Sequence, residues 1–395
     1  MSPLDERAQG LPALTRAEID LKALAHNYRE LRRVASPTAG IMAVVKADGY
    51  GHGAPQVARV ALECGAEFLA VARFDEAVRL REAGIDTPIL LFGYSFPAYV
   101  PYMAENGIRA SINAVESGRM ISAEAVRAAK TIKVHIKIDT GMGRLGLLAD
   151  ELRIEETAGR DLASAVGDVR AIASLPNLSV EGIFTHFANA DAKDKTHARL
   201  QFRRFTALLE ALEKEGFKLK YRHAANSAAT IEMPETHLDL VRPGVAQYGL
   251  WPSDEVDKGL IDLKPVMTLK STVIQLKHVG EGFAVSYGST HHTPRPTRIA
   301  TVPIGYADGF DRVLSSTGHM LVRGVRAPII GRVCMDLTMI DVGHVPEVAL
   351  EDEVVILGRQ GKEEITADEI AAQVDTINYE IVSSLTSRVA RVYVE

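Results

Sequence analysis

Cysteine is nearly absent from this 395-residue chain: Cys64 and Cys334 are the only two, far apart in sequence. That scarcity excludes a disulfide framework and a cysteine-based zinc pattern, and it suits a reducing compartment. Nowhere does an apolar run approach the roughly 18 residues that a membrane span requires. The opening Met1-Ser-Pro-Leu-Asp-Glu-Arg lacks the apolar stretch of a signal peptide. Basic residues are not in excess either: 45 Lys and Arg stand against 51 Asp and Glu, a net charge of -6. This balance argues against general binding to nucleic acid. No low-complexity segment or long charge run interrupts the chain. These absences lead to the expectation of a cytoplasmic protein with no membrane or nucleic-acid partner and no metal centre. What is present is a hydrophobic content of 47% and a charged content of 24%, the balance of a globular protein, in a chain long enough for two domains.

From Ile41 to about Leu250 short apolar segments alternate with helical patterns. The strand candidates are Ile41–Lys46, Phe68–Ala72, Pro88–Leu91, Ile108–Ile112, Ile132–Ile138, Val180–His186, Leu219–Ala225 and Leu238–Arg242. Helical patterns such as Phe74–Ala83, Ala192–Lys214 and the weaker Ser227–Glu232 fall between them. Eight such strands predict a (β/α)8 TIM-type barrel, and a helical pattern over Arg16–Arg33 is expected to close the ring. Beyond Trp251 the texture changes to strands separated by Gly, Pro and Asp turns, namely Thr268–Val279, Gly282–Tyr287, Arg298–Ile304, Met320–Val325, Ile329–Val333, Thr338–Val342 and Val354–Leu357. A helical pattern, Ala367–Ser384, is expected to end the chain. The expected organisation is a barrel over residues 14–255 and a smaller, mostly β domain over residues 256–395, with residues 1–13 as an optional addition to the latter.

The most informative residue is Lys46, in Ile41-Met-Ala-Val-Val-Lys46-Ala-Asp-Gly-Tyr50-Gly-His-Gly53. An apolar run of this kind reads as a strand buried on both faces. An ammonium held at its end tends to lose its charge through desolvation, which makes it a candidate for Schiff-base chemistry. Taken alone, a strand-end lysine snorkelling to solvent fits equally well. The other strand ends narrow the choice, because barrels build their sites there. His186 ends the sixth strand, Asn226 and Ser227 follow the seventh, and Arg242, Pro243, Gly244 and Val245 finish the eighth. Loops after the seventh and eighth strands are a common phosphate cradle. A lysine opposite such a cradle suits pyridoxal 5′-phosphate (PLP). In the fifth strand, Lys133, His135, Lys137 and Asp139 alternate with apolar residues, and the alternation predicts that they line the barrel interior as a polar network. An edge strand with one solvated face is the alternative. Gly141-Met-Gly143-Arg144-Leu-Gly146 matches the dinucleotide pattern G-x-G-x-x-G. A Rossmann unit needs a second strand ending in an acid about 20 residues on. Here Glu151–Ser174 is polar and helix-patterned, so a nicotinamide site is rejected.

Taken together, these motifs resemble the alanine racemase family of fold-type III PLP enzymes, from about Leu14 to Glu395. The resemblance rests on Ala43-Val-Val-Lys-Ala-Asp-Gly-Tyr-Gly-His-Gly53, Lys137-Ile-Asp-Thr-Gly-Met-Gly-Arg-Leu-Gly146, Thr185-His-Phe-Ala188 and Asn226-Ser227. It continues through Arg242-Pro-Gly-Val-Ala-Gln-Tyr-Gly-Leu250, Val285-Ser-Tyr-Gly288, Gly305-Tyr-Ala-Asp-Gly309, Cys334-Met-Asp336 and Thr376-Ile-Asn-Tyr-Glu380. It implies a homodimer with an active site shared between subunits, alanine as substrate, and D-alanine supplied to peptidoglycan. Lys46 would carry PLP and serve as one base. Tyr287, from the partner subunit, would be the other. Racemisation needs a base on each face of a planar carbanion; a tyrosine with a reference pKa of roughly 10 needs nearby cations to serve.

By the same resemblance Tyr50, Ser227, Gly244, Val245 and Tyr379 hold the cofactor phosphate, and Asn226 belongs to the same cofactor-binding motif. Arg144 faces the phenolic oxygen, and Lys137 matches a lysine often carbamylated in the family, which would orient Arg144. Met335 binds the substrate carboxylate through its backbone with Tyr306 nearby, and His186 supports Arg242, which faces the pyridine nitrogen. Arginine stays protonated, so that nitrogen accepts rather than donates, which favours simple reprotonation over transamination. Asp48 and Gly49 replace a frequent Asn-Ala, Leu337 stands where glutamine is common, and Ala390 where proline often occurs. Leu337 leaves selectivity open, so a serine-preferring or broader amino-acid racemase remains an alternative. A fold-type III decarboxylase is disfavoured by Arg242, since those enzymes generally pair the ring nitrogen with an acid. A non-catalytic PLP carrier of the barrel type is disfavoured by the presence of the β domain.

Overall fold

The fold is that of a computed structural model, which describes residues 13–149 and 162–395. It divides into two compact units: Ala23–Lys264, and the chain up to Lys22 together with Pro265–Glu395. The start of the chain, Met1–Pro12, and residues 150–161, which include the first part of the helical pattern expected over Glu151–Ser174, lie outside the described residues.

The first strand, β1 (Arg16–Asp20), belongs to the second unit, and the barrel unit contains the strands that follow. These are β2 (Gly40–Val44), β3 (Phe68–Val71), β4 (Ile89–Leu91), β5 (Ile108–Ile112), β6 (Ile132–Asp139), β7 (Leu147–Leu148), β8 (Leu178–Phe184), β9 (Tyr221–His223) and β10 (Leu240–Val241). They pair in parallel in the order β10-β2-β3-β4-β5-β6-β8-β9, with the short β7 beside β6. Asp239 N donates to Arg222 O at 3.0 Å and Arg242 N to Ala225 O at 3.0 Å, and these bonds close the ring between β9 and β10. All five residues of β2 and of β5 are buried, as strands covered on both faces require. Each of the eight expected strands is present with its ends moved: the first and sixth start earlier, the fifth gains Asp139, and the last two shrink to Tyr221–His223 and Leu240–Val241. Helices Phe74–Glu82, Thr196–Lys214 and Ser227–Glu232 lie where helical patterns were read. Helix Leu162–Ala173 occupies the described part of the Glu151–Ser174 pattern, and no strand lies in it.

Along β6, His135, Lys137 and Asp139 are buried, whereas the Lys133 side chain is 54% exposed. Lys133 therefore departs from the expected interior network. It sits at the start of the strand and reaches Glu181 at 3.4 Å from solvent.

Two expectations about the chain's ends are corrected. The segment Arg16–Asp20 is a strand rather than helix: Ala17 and Ile19 are buried while their neighbours are not, a period of two. Only Leu21–Val34 is helical, burying Ala23, Leu24, Asn27, Tyr28 and Leu31 on one face. The helical pattern Ala367–Ser384 breaks into Ala367–Gln373 and Asn378–Ser383, and a strand, Ala390–Val394, comes near the chain's end. The units also part at 22/23 and 264/265 rather than near 14 and 255. The reason lies in side chains: Asn27 makes a two-way bond with the Lys264 backbone, both at 2.8 Å, and Glu30 accepts Asp262 N at 3.1 Å, tying this stretch to the barrel.

In the second unit β1 pairs antiparallel with β11 (Met267–Thr272) and parallel with the last strand, Ala390–Val394. The predicted strand Thr268–Val279 is two strands in different sheets, β11 and β12 (Gln275–Val279). Gly282–Tyr287 shrinks to β13 (Ala284–Val285), paired with β14 (His291–His292), before a turn at Tyr287–Ser289. The strand expected at Ile329–Val333 begins earlier, at Val325–Pro328, leaving only a bridge at Ile329. Among the described residues no helix is long and apolar enough to cross a membrane.

Because Ile19 is fully buried between two neighbouring strands, Ile19→Ala is expected to remove roughly 2–5 kcal/mol. Hydrogen exchange should show the loss in the amides of β11 and Ala390–Val394, with the barrel strands unchanged. Equal loss in both units would contradict the assignment of β1.

Candidate active site

Lys46 follows β2 directly, and the chain then enters a left-handed turn. Ala47, Asp48, Gly49, Tyr50 and Gly51 all have φ between 51° and 82°. For the residues that carry a Cβ this costs roughly 1–2 kcal/mol each, so surrounding bonds must hold it. Glu76 Oε1 accepts Ala47 N at 2.6 Å while its Oε2 accepts Ala72 N and Arg73 N. Asp48 Oδ1 accepts Ala54 N at 3.0 Å. The result turns the Tyr50 ring back under the lysine, with Lys46 Nζ 5.6 Å from its centre. Burial, with Arg144 adding to it, pulls the Lys46 amine below its ordinary value, and Glu76 opposes this.

The glycine-rich loop after β6 wraps an anion, but the anion is the chain's own. Asp139 Oδ1 accepts the N–H groups of Gly141, Met142 and Gly143 at 2.8–3.1 Å, and Oδ2 accepts that of Arg144 at 3.1 Å. Successive N–H groups form an anion-binding nest. Here it is filled, so no dinucleotide phosphate enters it. The loop instead presents Arg144.

Arg242, after β10, is almost wholly buried. Its Nη2 donates to Thr185 O at 2.8 Å, to Ala224 O at 2.9 Å and to His186 Nδ1 at 3.3 Å. Its Nη1 donates to His223 Nδ1 at 3.2 Å, and His223 Nε2 lies 2.9 Å from His135 Nδ1. A guanidinium can only donate, so these contacts set the tautomers in sequence. His223 accepts at Nδ1 and donates from Nε2, which leaves His135 Nε2–H aimed at Glu181, 3.8 Å away. Glu181 is in turn paired with Arg109 at 2.9 Å. Burial holds all three histidines below their usual range, with Arg242 reinforcing it, so they are neutral. Arg242 itself is lowered to about 9 by burial and by Arg144, and stays cationic at neutral pH.

Lys137 completes the group. Burial, then Arg144 and Arg242, lower its amine to about 8, against the opposing pull of Asp139. Beside these cations lies a small cradle. Ser227 Oγ accepts Gly244 N at 2.9 Å and Ala246 N at 3.3 Å, which leaves its hydroxyl hydrogen to donate elsewhere. A Cβ on Gly244 would stand 2.7 Å from the Tyr50 hydroxyl, so only bare backbone fits against that oxygen. Asn226 supports the loop: its Oδ1 accepts Ala229 N at 3.0 Å. Lys46, Tyr50, Lys137, Arg144, His186, Asn226, Ser227, Arg242, Gly244 and Val245 all belong to this unit. The bare backbone at Gly244, the spare Ser227 hydrogen and the excess of cations fit a phosphate-bearing aldehyde cofactor such as PLP.

Tyr287, Tyr306, Met335 and Tyr379 belong to the β unit. Tyr287 lies in a turn fixed by Ser286, whose Oγ donates to Arg332 O at 2.7 Å and lies 3.4 Å from Cys334 Sγ. Tyr306 N donates to Cys334 O at 3.1 Å and Ala307 N to Met335 O at 3.0 Å. The three turns that carry Tyr287, Tyr306 and Met335 are thus bonded to one another. Each presents an exposed side chain, Tyr287 at 72%.

Sequence reading missed His223, Glu76 and the anchoring role of Asp139. His223 lies in a strand of only three residues, too short for alternation to show which face it lines. Glu76 binds backbone of a different segment, which no local pattern reports. Asp139 could have been found: an acid directly before a run of glycines is a common way to fold such a loop.

Comparison with known proteins decides the family. The family model described as "Alanine racemase, N-terminal domain" matches residues 19–252, and "Alanine racemase, C-terminal domain" matches residues 266–393. The chain belongs to the alanine racemase family. An alanine racemase of Desulfosudis oleivorans is 52% identical over 377 residues, covering 95% of this chain and 96% of the relative. One from Methanococcus maripaludis is 46% identical, covering 95% and 98%. The structure of alanine racemase from Clostridium difficile 630 superposes with a TM-score of 0.90 at 35% identity, covering 98% of this chain and 97% of that one. A histidine racemase from Leuconostoc mesenteroides also shares the fold, with a TM-score of 0.86 at 27% identity over 98% and 99%.

The lowered Lys137 amine has a consequence for stability. Its ordinary value is 10.5 and its folded value about 8, so between these the unfolded chain binds the extra proton. Stability of the cofactor-free protein should therefore rise as pH climbs from about 8 to about 10.5, with the full penalty present below that window. Lys137→Met is expected to flatten part of that rise in a plot of Tm against pH. An unchanged slope would contradict it.

Proposed function

We propose that the protein interconverts L- and D-alanine with PLP, by proton transfer from two opposed faces. The observation that carries this reading is the gathering of Lys46, Lys137, Arg144 and Arg242 at the ends of the barrel strands, beside a cradle suited to phosphate. Arg144 lowers Lys46, Lys137 and Arg242 alike. The one carboxylate that opposes them at Lys137, Asp139, is already bound to four backbone N–H groups. Such a site favours a bound anion.

PLP when bound supplies an aldehyde that joins an amine and a ring that draws off electrons. Lys46 is the amine that holds it, readied by desolvation. Tyr50, Ser227, Gly244 and Val245, with Tyr379 and the Asn226 turn, would hold its phosphate. Arg242 would donate to the ring nitrogen. The histidine series behind it would keep the donor oriented while adding no charge of its own. Arg144 would face the phenolic oxygen. Carbamylation of Lys137 would need a neutral amine, which its lowered value supplies near pH 8. It would turn a cation into an anion beside Arg144.

Lys46 would exchange the α-proton on one face and Tyr287 on the other. A tyrosine that is 72% exposed in the single chain is not yet in a water-excluded site. With Tyr306, Met335 and Leu337 also exposed, this supports a homodimer in which one protomer's β unit completes its partner's barrel site. Met335 N donates to no group among the described residues, as a receptor for the substrate carboxylate requires. The role proposed is supply of D-alanine for peptidoglycan in the cytoplasm. A broader amino-acid specificity is the second reading. It is favoured by Leu337 beside the Met335 turn and by the shared fold of the histidine racemase.

Purified protein loaded with PLP is expected to wash out the α-proton signal of L-alanine in D2O and to yield D-alanine in the same tube. Exchange without D-alanine would remove Tyr287 from its role. No exchange with alanine, but exchange with serine or histidine, would favour the second reading. Lys46→Ala should abolish both the reaction and the visible absorbance of the bound cofactor. Mixing Lys46→Ala with Tyr287→Phe, each inactive alone, should restore partial activity if sites are shared; mixed dimers that stay inactive would exclude sharing.

A further inference from the structure

We infer that Arg388 is a positioning residue for the substrate carboxylate, acting by neutralising Asp336 beside the Met335 N–H. The inference deepens the proposed function and rests on its reading of Met335 as the carboxylate receptor.

Two turns of the β unit meet back to back, Gly305–Asp308 and Cys334–Asp336. Backbone bonds from Tyr306 N to Cys334 O and from Ala307 N to Met335 O zip them together. A Cβ on Gly305 would fall 2.3 Å from both Cys334 O and Met335 O, so only glycine permits this approach. Each turn brings a carboxylate to the seam. Asp308 Oδ2 accepts Gly305 N at 2.9 Å, and Asp336 follows Met335 directly.

One guanidinium bridges both acids: Arg388 Nη2 lies 2.6 Å from Asp336 Oδ1, and its Nε 3.1 Å from Asp308 Oδ1. The loop that carries Arg388 is fastened for the purpose. Thr386 N donates to Asp308 O at 3.1 Å and Thr386 Oγ1 to Ala307 O at 3.0 Å. Arg391 caps the same loop from behind, donating to the carbonyls of Leu385, Thr386 and Val389 at 2.6–2.8 Å.

Both partners of the Arg388–Asp336 pair are half exposed, and exposed pairs add little to stability. The bonds that fasten this loop hold Arg388 where it meets both acids, and the consequence at Asp336 is one of charge. Asp336 is the residue after Met335, whose N–H would receive an anionic substrate group. Left alone, its carboxylate repels that group, and between unit charges about 4 Å apart such repulsion weakens binding on the order of tenfold. Bridged by Arg388 it does not, and Met335 N–H is free to bind.

The test uses the PLP-loaded enzyme and L-alanine. Arg388→Gln is expected to raise KM about tenfold with kcat and Tm little changed, and raised salt should shrink the difference. Arg388→Lys should recover most of the loss. The double variant Arg388→Gln with Asp336→Asn should return KM toward the wild-type value, because it removes the repelling charge along with its partner. If the double variant is no better than Arg388→Gln alone, or if kcat falls while KM holds, the inference is overturned. An active wild type with an Arg388→Gln variant of equal KM also overturns it, while leaving the racemase reading intact. A wild type inert toward alanine would instead defeat that reading, and the inference with it.

Discussion

Positive charge gathered at the ends of the barrel strands, part of it buried away from water, is the constraint on which this structure turns. Arg242 is buried, Lys137 and Lys46 are largely so, and Arg144 bears on all three. A barrel interior would not ordinarily tolerate this. The chain meets the cost for Arg242 with carbonyls and imidazoles, since Thr185 O, Ala224 O, His186 and His223 together receive its donors. Neutral histidines suit this task better than carboxylates. An acid against Arg242 would cancel the field that favours a bound anion. The one acid in the series, Glu181, is set apart from Arg242 by His135 and His223 and is balanced by Arg109.

The same constraint explains the strain beside Lys46. The left-handed run after β2 brings Tyr50 back under Lys46 and against the Gly244 backbone, at a cost that Glu76 and Asp48 offset through charge-assisted bonds to Ala47, Ala72, Arg73 and Ala54. Strained backbone of this kind is held where geometry matters to function. Two acids are thereby employed on backbone rather than on the lysines, which again leaves the mouth of the barrel cationic.

The barrel was legible in the chain because its strands are short apolar runs at regular spacing, and buried parallel strands need little else. The glycine-rich loop after β6 was legible as a loop, and the lack of a following strand told against a dinucleotide site. Asp139 supplies the physical reason, since it occupies the nest that a phosphate would need. Less legible was whatever depends on partners distant in sequence. Arg16–Asp20 is too short for its alternation to outweigh the helical pattern that follows, and only its neighbours at Met267–Thr272 and Ala390–Val394 make it a strand. Lys133 shares the parity of His135 and Lys137, yet a strand's first inward position lies at the barrel's rim, where a long side chain reaches water.

The β unit handles charge in the opposite way from the barrel. The barrel ties the carboxylates near its cations, Glu76 and Asp139, to backbone N–H groups and so leaves its cations in excess. The β unit brings Asp308 and Asp336 to the seam of two turns and then bridges both with Arg388. A cationic cluster there would compete with the barrel for the phosphate. Unbridged acids would repel the substrate. With one guanidinium against two carboxylates the seam stays short of cationic, so on the proposed reading the Met335 N–H, unbonded among the described residues, would receive an amino-acid carboxylate without drawing a stronger anion. On that reading the two units would divide recognition by the strength of the anion each admits, as follows from where each places its acids.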